Sequence, residues 1–129
     1  MKLVPINAPD APQPVGGSYS QAVEVTGASR LLFISGQIPA EAEGGAVPED
    51  FENQARLCWK NIIAQLRAGG MTLDNLVQVR IFLADRKHIA DYRKVRNEVL
   101  QGRQVSLTTV ISGIFDETWL LEIEAVAAA

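Results

Sequence analysis

Residues 48–83 read PEDFENQARLCWKNIIAQLRAGGMTLDNLVQVRIFL, and the fold turns on them. The first half has the period of a helix. Phe51, Ala55, Cys58, Trp59, Ile62, Ile63 and Leu66 recur at steps of three and four, which gathers them on one core-facing stripe. Pro48 suits the first helical turn, and Glu49 and Asp50 complement the positive end of the helix dipole. Gly69 and Gly70 supply a left-handed exit. After a connector at 71–75 the period changes: Leu76–Leu83 is dense in Val, Ile and Phe and reads as a strand.

Downstream, Asp85 can cap a second helix with Ile89, Tyr92, Val95 and Val99 inward and Gly102 at its exit. Ser106–Ile111 is β-branched and strand-like, Asp116-Glu117 makes a turn, and Trp119–Ala127 reads as the last strand. Upstream, Pro5, Pro9, Pro12, Pro14, Gly16 and Gly17 favour an irregular arm over 5–17. Tyr19–Val25 and Arg30–Ile34 read as two strands of a hairpin, followed by a loop over 38–47. The order β-β-α-β-α-β-β predicts a single domain, 1–129, of the two-layer α+β class with both helices on one sheet face. Two helices are not expected to bury all of Val79, Ile81, Leu83 and the apolar members of the last strand. An oligomer built on sheet faces or edges follows.

The totals narrow the function. A chain of 129 residues, 47% hydrophobic and 21% charged, has the composition of one ordinary globular core. Its net charge of −3, without a run of like charges, argues against nucleic acid as a partner. One cysteine, Cys58, allows no internal disulfide, and one histidine, His88, allows no His-rich metal site in a single chain. No metal or cofactor is expected. No segment approaches the roughly 20 apolar residues of a membrane span, and the start lacks a signal-peptide core, so the expected compartment is the cytoplasm.

No GxGxxG, Walker loop, GxSxG or HExxH motif is present. Cys58, on the core stripe, reads as a buried inert thiol and His88 as a solvated surface residue; Trp59 and Trp119 read as core or interface aromatics. In the last strand, alternation puts Glu122 and Glu124 on one face, opposite Trp119, Leu121, Ile123 and Ala125. Paired acids there are either solvated or, in a cleft, able to activate a water as general base. Tyr19 opens one strand and Ser35 ends another beside Gly36, where small polar residues can line a pocket.

Several segments, in this order and spacing, resemble the RidA/YjgF family, also called the L-PSP endoribonuclease family. They are Gly17–Ala22, Phe33–Pro39, Gln54-Ala55-Arg56 with Asn61, Ala68–Leu73 and Glu122–Ala127. The resemblance implies a chorismate-mutase-like fold and a homotrimer with three clefts between subunits. It also implies hydrolysis of reactive 2-enamine and 2-imine acids, formed by pyridoxal-phosphate dehydratases, to 2-keto acids and ammonia. It carries the pocket tyrosine onto Tyr19, the serine onto Ser35 and the water-positioning glutamate onto Glu122. The family's substrate-carboxylate arginine falls on Leu107, and its frequent cysteine on Thr109. With Leu107 in that place, weak activity on 2-imino acids is expected unless Arg80 or Arg103 supplies the cation. The expectation is therefore a hydrolytic deaminase of an imine, enamine or related small molecule; the alternative is a non-catalytic trimer that binds a metabolite. Ribonuclease activity is disfavoured by the chain's acidity.

Overall fold

The computed structural model describes residues 1–129. Seven strands and two helices run in the order β1 (Lys2–Ile6), β2 (Tyr19–Ser20), β3 (Ala22–Thr26), β4 (Leu31–Gln37), α1 (Phe51–Ala68), β5 (Leu76–Leu83), α2 (Ile89–Leu100), β6 (Val105–Ile111) and β7 (Leu121–Ala128). The main sheet has the order β2-β6-β5-β7-β4, with β2 and β5 parallel to β6 and β7 antiparallel to both β5 and β4. Both helices pack on one face of it, so the two-layer α+β architecture is as the sequence predicts.

Several expectations are corrected. The arm is not irregular throughout: Lys2–Ile6 pairs with Ala22–Thr26 as a separate antiparallel ribbon, and Pro5 fits there because β1 has only one neighbour. The run Tyr19–Val25 is broken at Gln21, whose N–H bonds the Asn7 side chain. It forms no hairpin with β4, which pairs instead with β7 across some ninety residues of chain. The last strand begins at Leu121, because Asp116 caps a turn through Thr118 and leaves Trp119 tilted against Phe115.

Helix α1 starts where Asp50 accepts a bond from the Asn53 N–H at 3.0 Å, so Pro48 and Glu49 lie just outside it. Asn53 holds the Asp50 carboxyl below its ordinary pKa through both backbone and side-chain bonds. The left-handed exit falls at Gly70, with φ of 71°, and the Met71 N–H closes back on Leu66. Val79, Ile81, Leu83, Ile62, Leu66, Leu121 and Ile123 are sealed between helices and sheet. Of the residues that two helices were not expected to bury in full, Val79, Ile81 and Leu83 all point to the helix layer with Leu121, Ile123 and Ala125, whereas Val126 of the last strand lies on the other face. Each sealed side chain stabilises the fold by about 1.5–3 kcal/mol. The ion pairs across α1 and α2, such as Arg56–Glu98, are surface pairs that contribute about 0–1 kcal/mol. Burial holds this fold.

Two family-matching residues act as fasteners. Buried Gln54 donates to the carbonyls of Pro48 and Thr118 and accepts the Leu120 N–H, tying the entry of α1 to the entry of β7. Asn61 donates to Ile38 and Ala40, pinning the loop after β4. The uncovered sheet face carries Arg80, Phe82, Glu122, Glu124 and Val126, with Leu31 and Phe33 on β4 exposed at 60% and 73%. Neither helix is long and apolar enough to cross a membrane.

Candidate functional site

Pairing register sorts the five expected site residues into two groups. Leu107 pairs with Val79 and Thr109 with Ile81, so both lie on the helix side of the sheet. There a cavity of about 200 Å³ brings Leu107 and Thr109 together with Tyr19. Glu122 pairs with Phe82 on the opposite, uncovered face. Ser35 is exposed on the edge strand β4, one residue before Gly36, whose backbone lies against the Glu122 side chain. Within one chain the structure thus joins Tyr19, Leu107 and Thr109, joins Ser35 and Glu122 through Gly36, and keeps the two groups apart.

The glutamate is positioned by an irregularity. The β4–β7 register shifts between Ile34 and Gln37, which turns Gly36 toward β7. A Cβ on Gly36 would lie 2.7 Å from the Glu122 carboxyl carbon and 2.9 Å from its Cγ. Only glycine lets the carboxylate occupy this place. The two acids on the face then part company. Glu124 is opposite Arg80 and pairs with it at 3.4 Å, whereas no ion pair involves Glu122. Glu122 is half-buried beside Phe82 and the 112–115 loop, carrying a carboxylate without a cation.

The cavity on the other side is built by α2, β6 and the Gly16-Gly17-Ser18 turn. Gly16, Gly17 and Ser18 all have positive φ, which folds the turn so that the Gly16 and Gly17 carbonyls face α2 and Tyr19 enters β2. The Tyr19 hydroxyl accepts the Val15 N–H at 2.7 Å, leaving its own proton free to donate. Thr109 donates to the Tyr92 hydroxyl at 3.2 Å. Burial raises the Tyr92 pKa; the Thr109 bond and the charges of Arg96 and Arg93 oppose it.

Sequence reasoning passed over Tyr92, Arg93 and Arg96 as cavity residues. A signal was available: Arg96 follows Tyr92 by four residues, so a charge falls on the stripe predicted to face the core. The two cations considered as substitutes at Leu107 are engaged elsewhere. Arg80 pairs with Glu124 on the uncovered face, and Arg103 pairs with Asp74 at 2.7 Å and with the Leu100 carbonyl.

Cys58 and His88 form no nucleophilic pair. Cys58 is fully buried, and burial pushes its thiol far above the ordinary range, with the Glu122 charge adding to the effect. His88 is partly exposed, with its ring stacked on Phe51 at 4.6 Å between centroids. No three His, Cys, Asp or Glu side chains gather as a metal site would require.

Comparison with known proteins identifies relatives of the whole chain. The protein mmf2 of Schizosaccharomyces pombe, a mitochondrial protein by name, is 37% identical over 99% of both chains. TdcF of Escherichia coli, provisionally named a reactive intermediate deaminase, is 30% identical over 86% of each. Its crystal structure with bound serine superposes with a TM-score of 0.71, at 29% identity and 98% coverage of both chains. The Rid-family protein YyfB of Yersinia pestis, of unknown function, superposes with a TM-score of 0.88 at 25% identity over both full lengths. The family model for endoribonuclease L-PSP matches residues 8–129. This chain belongs to the endoribonuclease L-PSP family, the RidA/YjgF family that its segments resemble.

Proposed function

We propose that the protein is a hydrolytic deaminase of a small reactive imine or enamine, acting as a homotrimer whose clefts lie between subunits. One observation carries this reading: Glu122 presents a carboxylate with no cationic partner, held in place by Gly36, while its neighbour Glu124 is neutralised by Arg80. A free, fixed carboxylate is what a water nucleophile needs. The name of TdcF supports the reaction class, and its serine-bound structure supports a small ligand. Since Glu122 and Tyr19 occupy opposite faces of one sheet, a shared cleft requires Glu122 and Ser35 from one subunit and Tyr19, Leu107 and Thr109 from its neighbour. The exposed Leu31 and Phe33 support such an assembly.

In the reaction, Glu122 takes a proton from water as the water oxygen bonds to the imine carbon. Glu122 then gives that proton to the imine nitrogen, making a neutral carbinolamine. In the collapse, Glu122 carries the hydroxyl proton to nitrogen as the C=O bond forms and the C–N bond breaks, so ammonia leaves and the carboxylate is regenerated; the Tyr19 hydroxyl, with its proton free, is suited to hold the polar end of the substrate. An enamine first becomes the imine by gaining a proton at carbon and losing one from nitrogen. We assign the activity to the cytoplasm, because a reducing compartment suits the single buried thiol.

The test is keto-acid and ammonia release from imines generated in situ, with and without a carboxylate, by wild type and Glu122→Gln. Loss of the base should slow turnover about 10²- to 10⁴-fold without loss of folding. Turnover by the variant at the wild-type rate, or no acceleration of any imine by wild type, overturns the reading and leaves a binding protein.

A further inference from the structure

The cavity beside Leu107 is lined by two positive charges and by no acid. Arg93 and Arg96 stand three residues apart on α2 and share one face of the helix. Arg96 is only 2% exposed. Its guanidinium lies 5.7 Å from the Tyr19 ring centroid and 5.4 Å from that of Tyr92. Its hydrogen bonds run from Nε and Nη2 to the carbonyls of Gly16 and Gly17 and to Asn97 Oδ1, at 3.2–3.3 Å. All of these partners are neutral. None of the six ion pairs includes Arg93 or Arg96.

A buried charge is strongly unfavourable unless paired, and two cations at this helical spacing repel each other. The neutral partners fix Arg96 in position but do not cancel its charge. What would cancel it is an anion in the cavity. At roughly 30 Å³ per water-sized group, a volume of about 200 Å³ has room for six or seven non-hydrogen atoms. Val15, Ile89 and Leu107 make part of the wall apolar. That suits a monocarboxylate with a short alkyl tail better than a phosphate, which is polar on every side.

We propose that Arg96, with Arg93 at the rim, binds the carboxylate of a small organic acid in this cavity, supplying from α2 the cation that β6 lacks at Leu107. The proposal deepens the deaminase reading by making its substrate an acid, and it reverses the expectation of weak activity on 2-imino acids. It rests on that reading for the reaction only; carboxylate binding is measured separately.

The probe is 2-oxobutanoate, with butanone as its uncharged counterpart, titrated calorimetrically into the full-length protein. Wild type should bind 2-oxobutanoate at least tenfold more tightly than butanone, since hydrogen bonds to charged groups sustain that ratio. Arg96→Gln should abolish the difference, and Arg93→Gln should reduce it at least threefold. Adding Leu107→Arg to Arg96→Gln should restore it, a rescue that a merely structural role for Arg96 would not produce. If Arg96→Gln does not fold, Arg93→Gln and the wild-type ratio decide alone. Equal wild-type affinity for the two probes, or unchanged affinity in both arginine variants, overturns the proposal. Carboxylate binding through Arg96 without imine turnover would sink the deaminase reading alone. Turnover that ignores Arg96 would sink this inference alone.

Discussion

Replacing Gly36 by alanine should abolish most of the proposed deaminase activity without unfolding the chain. Gly36 has no positive φ, so alanine meets no backbone strain there. The cost is local and steric. The new methyl would sit 2.7 Å from the Glu122 carboxyl carbon, whereas ordinary contact begins near 3.4 Å, so that carbon must retreat by about 0.7 Å and the nearer oxygen by more. Because Cγ is also too close, at 2.9 Å, rotating the carboxylate alone gives no relief and the side chain must change rotamer. A misplacement of about 1 Å in a catalytic group can cost 10²-fold in rate, so kcat/KM should fall roughly 10- to 100-fold. Stability should change little. Alanine gains about 0.5–1 kcal/mol over glycine within a strand, which offsets part of the off-rotamer cost of about the same size. The assay is keto-acid release from an enzymatically generated imine, read beside a thermal melt. Gly36→Ala within twofold of wild-type turnover would refute the claim that this contact positions Glu122. A loss of turnover accompanied by a collapse in Tm would refute the claim that the effect is local.

Two further outcomes are expected. Burial and the neighbouring Lys87 charge lower the His88 pKa in the folded chain below 6.5, against the weaker pull of Asp85 and Asp91. The unfolded state then binds more protons, so the contribution of His88 is whole above pH 6.5 and is lost as pH falls through the lowered value. Urea unfolding at pH 7.5 and 5 should show a larger loss of stability for wild type than for His88→Gln, and equal losses would count against the stacked, partly buried histidine. Sedimentation equilibrium at micromolar concentration should give three times the chain mass; a monomer would remove the cleft between subunits, and with it the shared site.

Both helices were legible because their apolar stripes are long; their caps were less so, since Asp50 read only as a partner of the helix dipole and Asp85 caps the short 3-10 turn at 86–88, leaving α2 to start at His88 without a side-chain cap. Strand partners were not. Whether β4 pairs with β3 or β7 depends on contacts across most of the chain, and the short gap at 27–29 suggested a hairpin that global packing overrode. β1 was hidden because Pro5 argues against a strand, an argument that fails at a ribbon edge. In the site, alternation put Glu122 and Glu124 together, but only the register opposite Arg80 tells which acid is neutralised. The cation on α2 was visible as Arg96 in an apolar stripe. It went unread because one charge in such a stripe is as easily a surface residue one position out of phase.

The strand order has a consequence for how the chain is made. β7 lies between β5 and β4 and carries Leu121, Ile123 and Ala125 into the core, yet it follows every other element in the chain. During synthesis, β4 has no partner within the main sheet until β7 leaves the ribosome, and the inner faces of both helices have only part of their floor. The nascent protein therefore holds α1, the apolar β4 edge and β5 in a half-closed state for the time needed to add the last forty or so residues, a few seconds at about 5–20 residues per second. A holdase should capture ribosome-bound chains stalled before Leu121 and release those stalled once β7 is fully exposed.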